Sequence, residues 1–294
     1  MPYLSIVVAS RNDNHGGDLT GRTQMCFDSL SRQLKRFGVD AEVIVVDWNP
    51  PAGNPPLSEV VTCDNSRFIT VPSDIHNRYG QARNFPLFQM IAKNAGIRRA
   101  RGEFILATNV DILFSDELME ELAKKNLQKG MIYRAYRFDV KKGTTSLDGI
   151  KNKLIRLNLS HADELCTNAC GDFQLLHRDD WFRLRGYFEG DLFSIHIDSV
   201  FEYHAYYNGC KEFVFSPSRV TYHVEHSGGW VPGIEKSKEY NRMNDVKVKK
   251  LSYEDLLDII SLFRKQQGPF DYNKENWGLA DDILGEVNGK INIV

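Results

Sequence analysis

Three stretches of the chain carry residue types able to do chemistry. Asn109-Val110-Asp111 sets a carboxamide beside a carboxylate at the end of an apolar run. Oxygen donors placed so suit Mg²⁺ or Mn²⁺, ions that keep several waters and take further ligands from phosphates. Asp111 could equally begin a turn or cap the next helix. Tyr222-His223-Val224-Glu225-His226-Ser227-Gly228-Gly229-Trp230 brings two imidazoles, a diglycine and an indole close together. His223 and His226, three apart, share a face on a helix and point oppositely in extended chain. Asp198 precedes an apolar run, where it reads as the cap of a helix over Ser199–Tyr207. Five scattered cysteines, among them Cys166 and Cys170 four apart with no second pair, read as free thiols in a reducing compartment rather than a zinc site or a disulfide framework.

The elements that must position these residues alternate in type. Leu4–Ala9, Ala41–Asp47, Arg67–Val71 and Gly102–Thr108 are apolar, β-branched runs that read as buried strands. Between them, Met25, Leu30, Leu34 and Phe37 recur at helical spacing until Gly38, and a helix is predicted from Pro86 to Arg99. Ser115-Asp116-Glu117-Leu118 has N-cap chemistry for another. Strand–helix alternation predicts an α/β fold with a mostly parallel, Rossmann-like sheet. Ligands on such sheets bind beyond the carboxyl ends of the strands. Those ends carry Ser10-Arg11-Asn12, Asp47-Trp48-Asn49 and Asn109-Val110-Asp111. Residues 139–165 are polar and lysine-rich and read as a mobile excursion, and an amphipathic stretch follows from Tyr253 to Phe263.

Composition limits the partners. The 294 residues hold 37 basic and 39 acidic side chains, a net charge of −2, with 42% apolar and 26% charged residues. That is the balance of a folded globular chain rather than a disordered one. It lacks the basic footprint of a nucleic-acid binder. No apolar run reaches the ~18 residues of a membrane helix, and the start shows no signal-peptide pattern. A cytoplasmic protein is expected, with peripheral membrane association left open.

Taken in order, these segments resemble the GT-A fold glycosyltransferases, in particular the inverting family 2-like enzymes. Ser5–Asn12 is similar to their opening strand, and Glu42–Asp47 to their second strand, whose terminal aspartate contacts the nucleobase. Ala92-Lys93-Asn94-Ala95-Gly96 leading to Ala100-Arg101-Gly102-Glu103-Phe104-Ile105 matches a basic-Asn-x-Gly segment before a strand. Asn109-Val110-Asp111 stands where the metal-binding DxD triplet belongs. The match is good over roughly residues 3–120. It departs at Asn109, where one charge is missing, and at Trp48, where a second aspartate is usual. Trp48 could stack on a base or pack a loop.

The resemblance implies a GT-A catalytic domain over residues 1–232, nucleotide-binding to 120 and acceptor-side from 121, with a C-terminal helical or irregular extension over 233–294. It implies a nucleotide-diphospho-sugar donor, UDP-sugar favoured, and Mn²⁺ or Mg²⁺ as cofactor. The sugar, hexosyl or N-acetylhexosaminyl, would pass to a glycan or glycolipid hydroxyl, as in polysaccharide biosynthesis. Donor contacts fall on Ser10, Arg11, Asn12, Asp47, Lys93, Asn94 and Asn109. Lys93 reads by itself as a solvated surface lysine. The metal falls on Asp111 with His223 or His226, His223 preferred. Acceptor contacts fall on Asp172 and on Trp230, behind a Gly228-Gly229 hinge. Asp198 matches the general base, although the glutamate usual before it is Ile197. Two other readings compete: a nucleotidyltransferase, for which the loop after the first strand is poor in Gly, Lys and Arg, and a non-catalytic sugar or nucleotide binder, which Asn109 and Ile197 keep open.

Overall fold

The computed structural model describes residues 1–144, 146–158, 164–226, 247–265 and 272–290. β1 (Leu4–Ser10) is buried throughout. α1 (Leu19–Phe37) follows, starting ahead of the predicted stripe, and Gly38 ends it at φ 67 with its N–H bonded to Leu34 O. Next come β2 (Ala41–Trp48), α2 (Leu57–Val60), β3 (Ser66–Val71), α3 (Ser73–His76), α4 (Gln89–Arg98) and β4 (Phe104–Ala107). β5 (Ile112–Phe114) precedes α5 (Asp116–Ala123), whose Ser115 cap accepts from Leu118 N–H. β6 (Met131–Arg134), β7 (Tyr136–Val140), β8 (Leu154–Asn158), β9 (Gln174–His177) and α6 (Arg178–Leu184) lead to α7 (Ile197–Tyr207). β10 (Lys211–Val214), β11 (Val220–Val224), α8 (Tyr253–Lys265) and β12 (Gly285–Asn288) complete the described elements.

The main sheet runs β10-β6-β9-β4-β1-β2-β3-β12. β4, β1, β2 and β3 are parallel neighbours, and β9 enters antiparallel against both β4 and β6. Alternate side chains feed two cores, as pleating requires. Ile6, Val8, Val43 and Val45 pack on Phe27 and Leu30 of α1. Val7, Ile44 and Val46 pack on Ile91 of α4, Trp181 of α6 and Phe201 of α7. This is the α/β, mostly parallel sheet of a GT-A fold, with helices on both faces.

A second sheet, β5-β11-β7-β8, departs from the expected excursion over residues 139–165. Tyr136, Phe138 and Val140 alternate with Arg137 and Asp139, and the apolar set packs with Tyr222, Val220 and Ile150. That period of two makes a strand out of a polar-looking segment. β11 pairs antiparallel with β5 and parallel with β7, and His223 stands opposite both Ile112 and Asp139.

The C-terminal extension is helical in part. α8 lays Leu256, Ile260 and Phe263 against Val200 and Tyr203 of α7. β12 then joins the main sheet, antiparallel to β3. Arg98 and Arg99 hold this return. Arg99 donates to the carbonyls of Gly278, Leu279 and Asp282 at 2.7–3.0 Å, and Arg98 lies over the Trp277 ring.

Candidate active site

A cavity of about 700 Å³ opens beyond the carboxyl ends of β1 and β4. Its walls bring together Ser10, Arg11, Lys93, Asn109, Asp111, Asp172, Asp198, His223 and His226, which the sequence spreads over more than two hundred positions. The crossing of the two sheets explains the meeting. β4 delivers Asn109 and Asp111, and the small sheet delivers His223 beside the residue that follows Asp111.

Asp111, His223 and His226 offer one ligand atom each within 4.8 Å of one another. Asp111 Oδ2 lies 3.0 Å from His226 Nε2 and 3.9 Å from His223 Nε2. Two donors bonded to one ion at about 2.1 Å stand at most ~4.2 Å apart, and the two Asp111 spacings meet that limit. β11 ends at Val224, and past it the chain leaves the strand pattern and sets His226 on the side His223 faces. The opposition expected of an extended chain therefore does not hold. Burial alone would raise the Asp111 carboxyl, but the His226 hydrogen bond and the charges of His223, His226 and Arg22 hold it well below the usual range. Burial would lower His223, and the Asp139 hydrogen bond and Asp111 charge override it and raise it.

Asn109 and Asp172 form a second cluster. Asn109 Nδ2 donates to Asp172 Oδ1 at 2.7 Å, and Gln89 Nε2 donates to Asn109 Oδ1 at 2.9 Å. Asp172 Oδ2 takes Arg137 Nη1 at 2.8 Å. Each oxygen of Asp172 thus has one partner within the protein, and the residue lines the cavity. Lys93 is wholly buried, not solvated, and its Nζ donates to Gly171 O at 2.8 Å. Burial pulls this ammonium down to about 8, against the nearby charges of Asp172, Asp198 and Asp111.

Asp198 does not cap its helix. His196, at φ 65, takes the cap position, and Asp198 sits in the first turn of α7. Its Oδ2 accepts Gly171 N–H at 2.8 Å and its Oδ1 accepts Ser199 N–H at 2.9 Å. A Cβ at position 171 would lie 2.7 Å from Asp198 Oδ2, so glycine there makes room for the carboxylate.

Other expected contacts lie off the cavity wall. Asn12 donates to Pro55 O and closes a loop. Asp47 is buried under that loop, where Oδ2 accepts Leu57 N–H and Oδ1 has no partner among the described residues; burial pushes its carboxyl up to about 6. Asn94 is buried among Tyr187 and Glu189, donating to both and accepting Tyr187 N–H, and so pins a turn. Trp48 is fully buried and donates to His76 Nδ1 at 2.9 Å, so it packs the loop rather than offering a stacking face. Trp230 and the Gly228-Gly229 hinge lie outside the described residues. All five cysteines are buried and free.

Sequence reading missed Arg137, just before the polar segment, Asp139, at its start, and Arg22. Arg22 lines the cavity from α1 and binds the carbonyls of His15 and Gly17, folding that loop beside His226. The alternation of Tyr136, Phe138 and Val140 was the signal available for the first two.

No family model and no curated protein matches the sequence. Solved structures do resemble the fold. S. aureus TarS residues 1–349 in complex with UDP-GlcNAc matches with a TM-score of 0.53 and 14% identity over 88% of this chain and 65% of that one. A second TarS 1–349 structure matches with a TM-score of 0.50 and 15% identity over 75% and 60%. A mannosyltransferase, PcManGT from Pyrobaculum calidifontis, in complex with GDP-Man and Mn²⁺, gives 0.43 and 15% over 77% and 57%. The chain thus spans less than two thirds of the length of each of these structures. At this identity the TarS likeness establishes a shared fold.

Proposed function

We propose that the protein is a metal-assisted glycosyltransferase using a nucleotide-diphospho-sugar, a UDP-sugar foremost, and inverting at the anomeric carbon. A hexosyl or N-acetylhexosaminyl group would pass to a glycan or glycolipid hydroxyl. The observation that carries this is the single cavity lined by both the Asp111–His223–His226 donor set and a separately held carboxylate, Asp198. The UDP-GlcNAc bound by the fold neighbour TarS supports the choice of donor class.

Asp198 has the geometry of a general base. Each oxygen accepts one backbone N–H and retains a second lone pair for an acceptor hydroxyl. It is not among the metal-binding donors, so its lone pairs are not drawn off by an ion. Asp111, His223 and His226 would hold the ion, which supplies charge neutralisation for the departing diphosphate. Two imidazoles with one carboxylate favour Mn²⁺ over Mg²⁺, which prefers oxygen throughout. Ser10 and Arg11 form the donor side of the wall, and Lys93 contributes buried positive charge beneath it. Among the described residues no helix is long and apolar enough to cross a membrane.

The test is thermal stabilisation by UDP, GDP, CDP and TDP, each with and without Mn²⁺, followed by donor hydrolysis. A ligand at ~100 times its Kd stabilises by about 2.7 kcal/mol. Metal-dependent stabilisation by one diphosphate is expected, with donor hydrolysis lost in Asp111→Ala and Asp198→Ala. Folded protein that responds to none of them would overturn the proposal.

A further inference from the structure

Beyond the ligand set lies a chain of ionic contacts that leads back to the end of β4. Asp139 Oδ1 is 3.2 Å from His223 Nδ1, the ring nitrogen that faces away from Asp111. The two residues are register partners in the parallel β7–β11 pair, and both are buried. Arg137, two residues back on the same face of β7, pairs with Asp139 at 3.1 Å through Nε and with Asp172 at 2.8 Å through Nη1. Asp172 in turn receives Asn109. A carboxylate supplied by residue 172, from another part of the chain, thus stands at hydrogen-bond distance from position 109.

An imidazole has two nitrogens, and the partner of one decides what the other can do. A carboxylate on Nδ1 keeps a proton there, fixes the ring plane, and leaves Nε2 as a lone pair for an ion. We propose that Asp139 is the positioning residue of the metal centre, aiming His223 Nε2 into the site shared with Asp111 and His226, with Arg137 tying it to Asp172. This rests on the metal reading of the site given above. Among the described residues Asp139 is not part of the cavity lining, and it acts through His223. A carboxylate buried this far from water is retained where charged partners hold it, and here those partners are Arg137 and His223.

Metal-free protein titrated with Mn²⁺, following the free-ion electron paramagnetic resonance signal, and with Co²⁺, following its visible absorption, tests this. The variants are His223→Ala, Asp139→Ala and Asp139→Asn. The last keeps size and an acceptor oxygen, so it serves if Asp139→Ala does not fold. Loss of such a partner typically weakens metal binding by about 10–100-fold. That loss is expected in Asp139→Ala, with a smaller loss in Asp139→Asn and an altered Co²⁺ band in both, which a merely structural role would not produce. Wild-type affinity and an unchanged band in the Asp139 variants, with His223→Ala weakened, would sink the positioning role and leave the metal site standing. Wild-type protein that binds neither ion would overturn the metal reading, and this inference with it.

Discussion

Asn109 lies with its carboxamide nitrogen 2.7 Å from Asp172 Oδ1, and Gln89 holds the oxygen of the same carboxamide from the other side. The amide is therefore oriented by a donor and an acceptor at once. Replacing it with the aspartate of the usual triplet would set two carboxylates at hydrogen-bond distance. Asn109→Asp should lower stability by about 1–3 kcal/mol, as expected when a buried acceptor loses its donor. It should also fail to tighten Mn²⁺ binding. Denaturant melts and a Mn²⁺ titration check this, and a variant both as stable as wild type and tighter for metal would contradict it.

Gly171 offers a cleaner probe of Asp198 than Asp198 itself. Its amide donates to the carboxylate, its carbonyl receives Lys93, and a Cβ would fall 2.7 Å from Oδ2. Gly171→Ala should displace the carboxylate and reduce kcat by about 100-fold, the lower end for loss of a positioned base. Donor affinity should stay near wild type, because the proposed metal ligands lie elsewhere. Unchanged kcat in folded protein would remove Asp198 from the mechanism.

Metal removal should be felt more strongly at higher pH. In the metal-free protein Asp139 and Asp111 raise His223 above its ordinary value. The stability contributed by its proton is fully present below the unfolded value and is lost as pH rises through the folded one. Metal binding needs the neutral ring, so it gains over the same interval. Melting of chelator-treated protein with and without Mn²⁺ should show a small difference at pH 6 and a larger one at pH 8. A difference that shrinks with rising pH would count against these ligands.

Asp47 carries a stability cost at neutral pH. Its carboxyl stands at about 6 in the fold against 3.8 in the ordinary state, because burial outweighs the Leu57 amide and the Arg11 charge. The folded state then holds more protons between those values, so stability falls as pH rises from about 4 to about 6 and stays reduced above. Two pH units correspond to about 3 kcal/mol at most. Asp47→Asn should be more stable than wild type at pH 7.5, with the gap closing near pH 4. Urea unfolding at the two pH values measures it, and a constant gap would show that the carboxyl is not perturbed.

Arg99 should hold the return of the chain to the sheet. It makes three charged hydrogen bonds to carbonyls of residues 278–282. Arg99→Ala should cost about 1–3 kcal/mol and open residues 272–290 to limited proteolysis, while cleavage within β1 to β4 stays unchanged. An unaltered digestion pattern would assign the tail's hold to other contacts.

The parallel half of the fold was legible because buried strands such as Leu4–Ser10 and Ala41–Trp48 are written as unbroken apolar runs. The residues at their ends were legible because such sheets put chemistry there. What failed was legibility by type alone. Lys93 and Asn94 read as surface or ligand-facing residues, yet neighbours distant in sequence, Gly171 and Tyr187, bury both. Asp139 was missed because lysines around it masked a strand whose partner, β11, lies some eighty residues on. No local pattern announces that Asp172 meets Asn109, because the pairing exists only once β9 has entered between β4 and β6.

The strand formed by Gly285–Asn288 sits on the outer side of β3, with Arg67 reaching Glu286 at 2.9 Å. During synthesis β3 leaves the ribosome about two hundred residues before its partner does. At 5–20 residues per second, that is about 10–40 s with a buried-type strand showing an open edge. An open edge is a template for pairing with other chains. The nascent protein therefore passes through an interval in which β3 itself is the open edge, a place β12 takes in the finished fold, and slowing translation after β3 should lower the yield of soluble protein more than slowing it before.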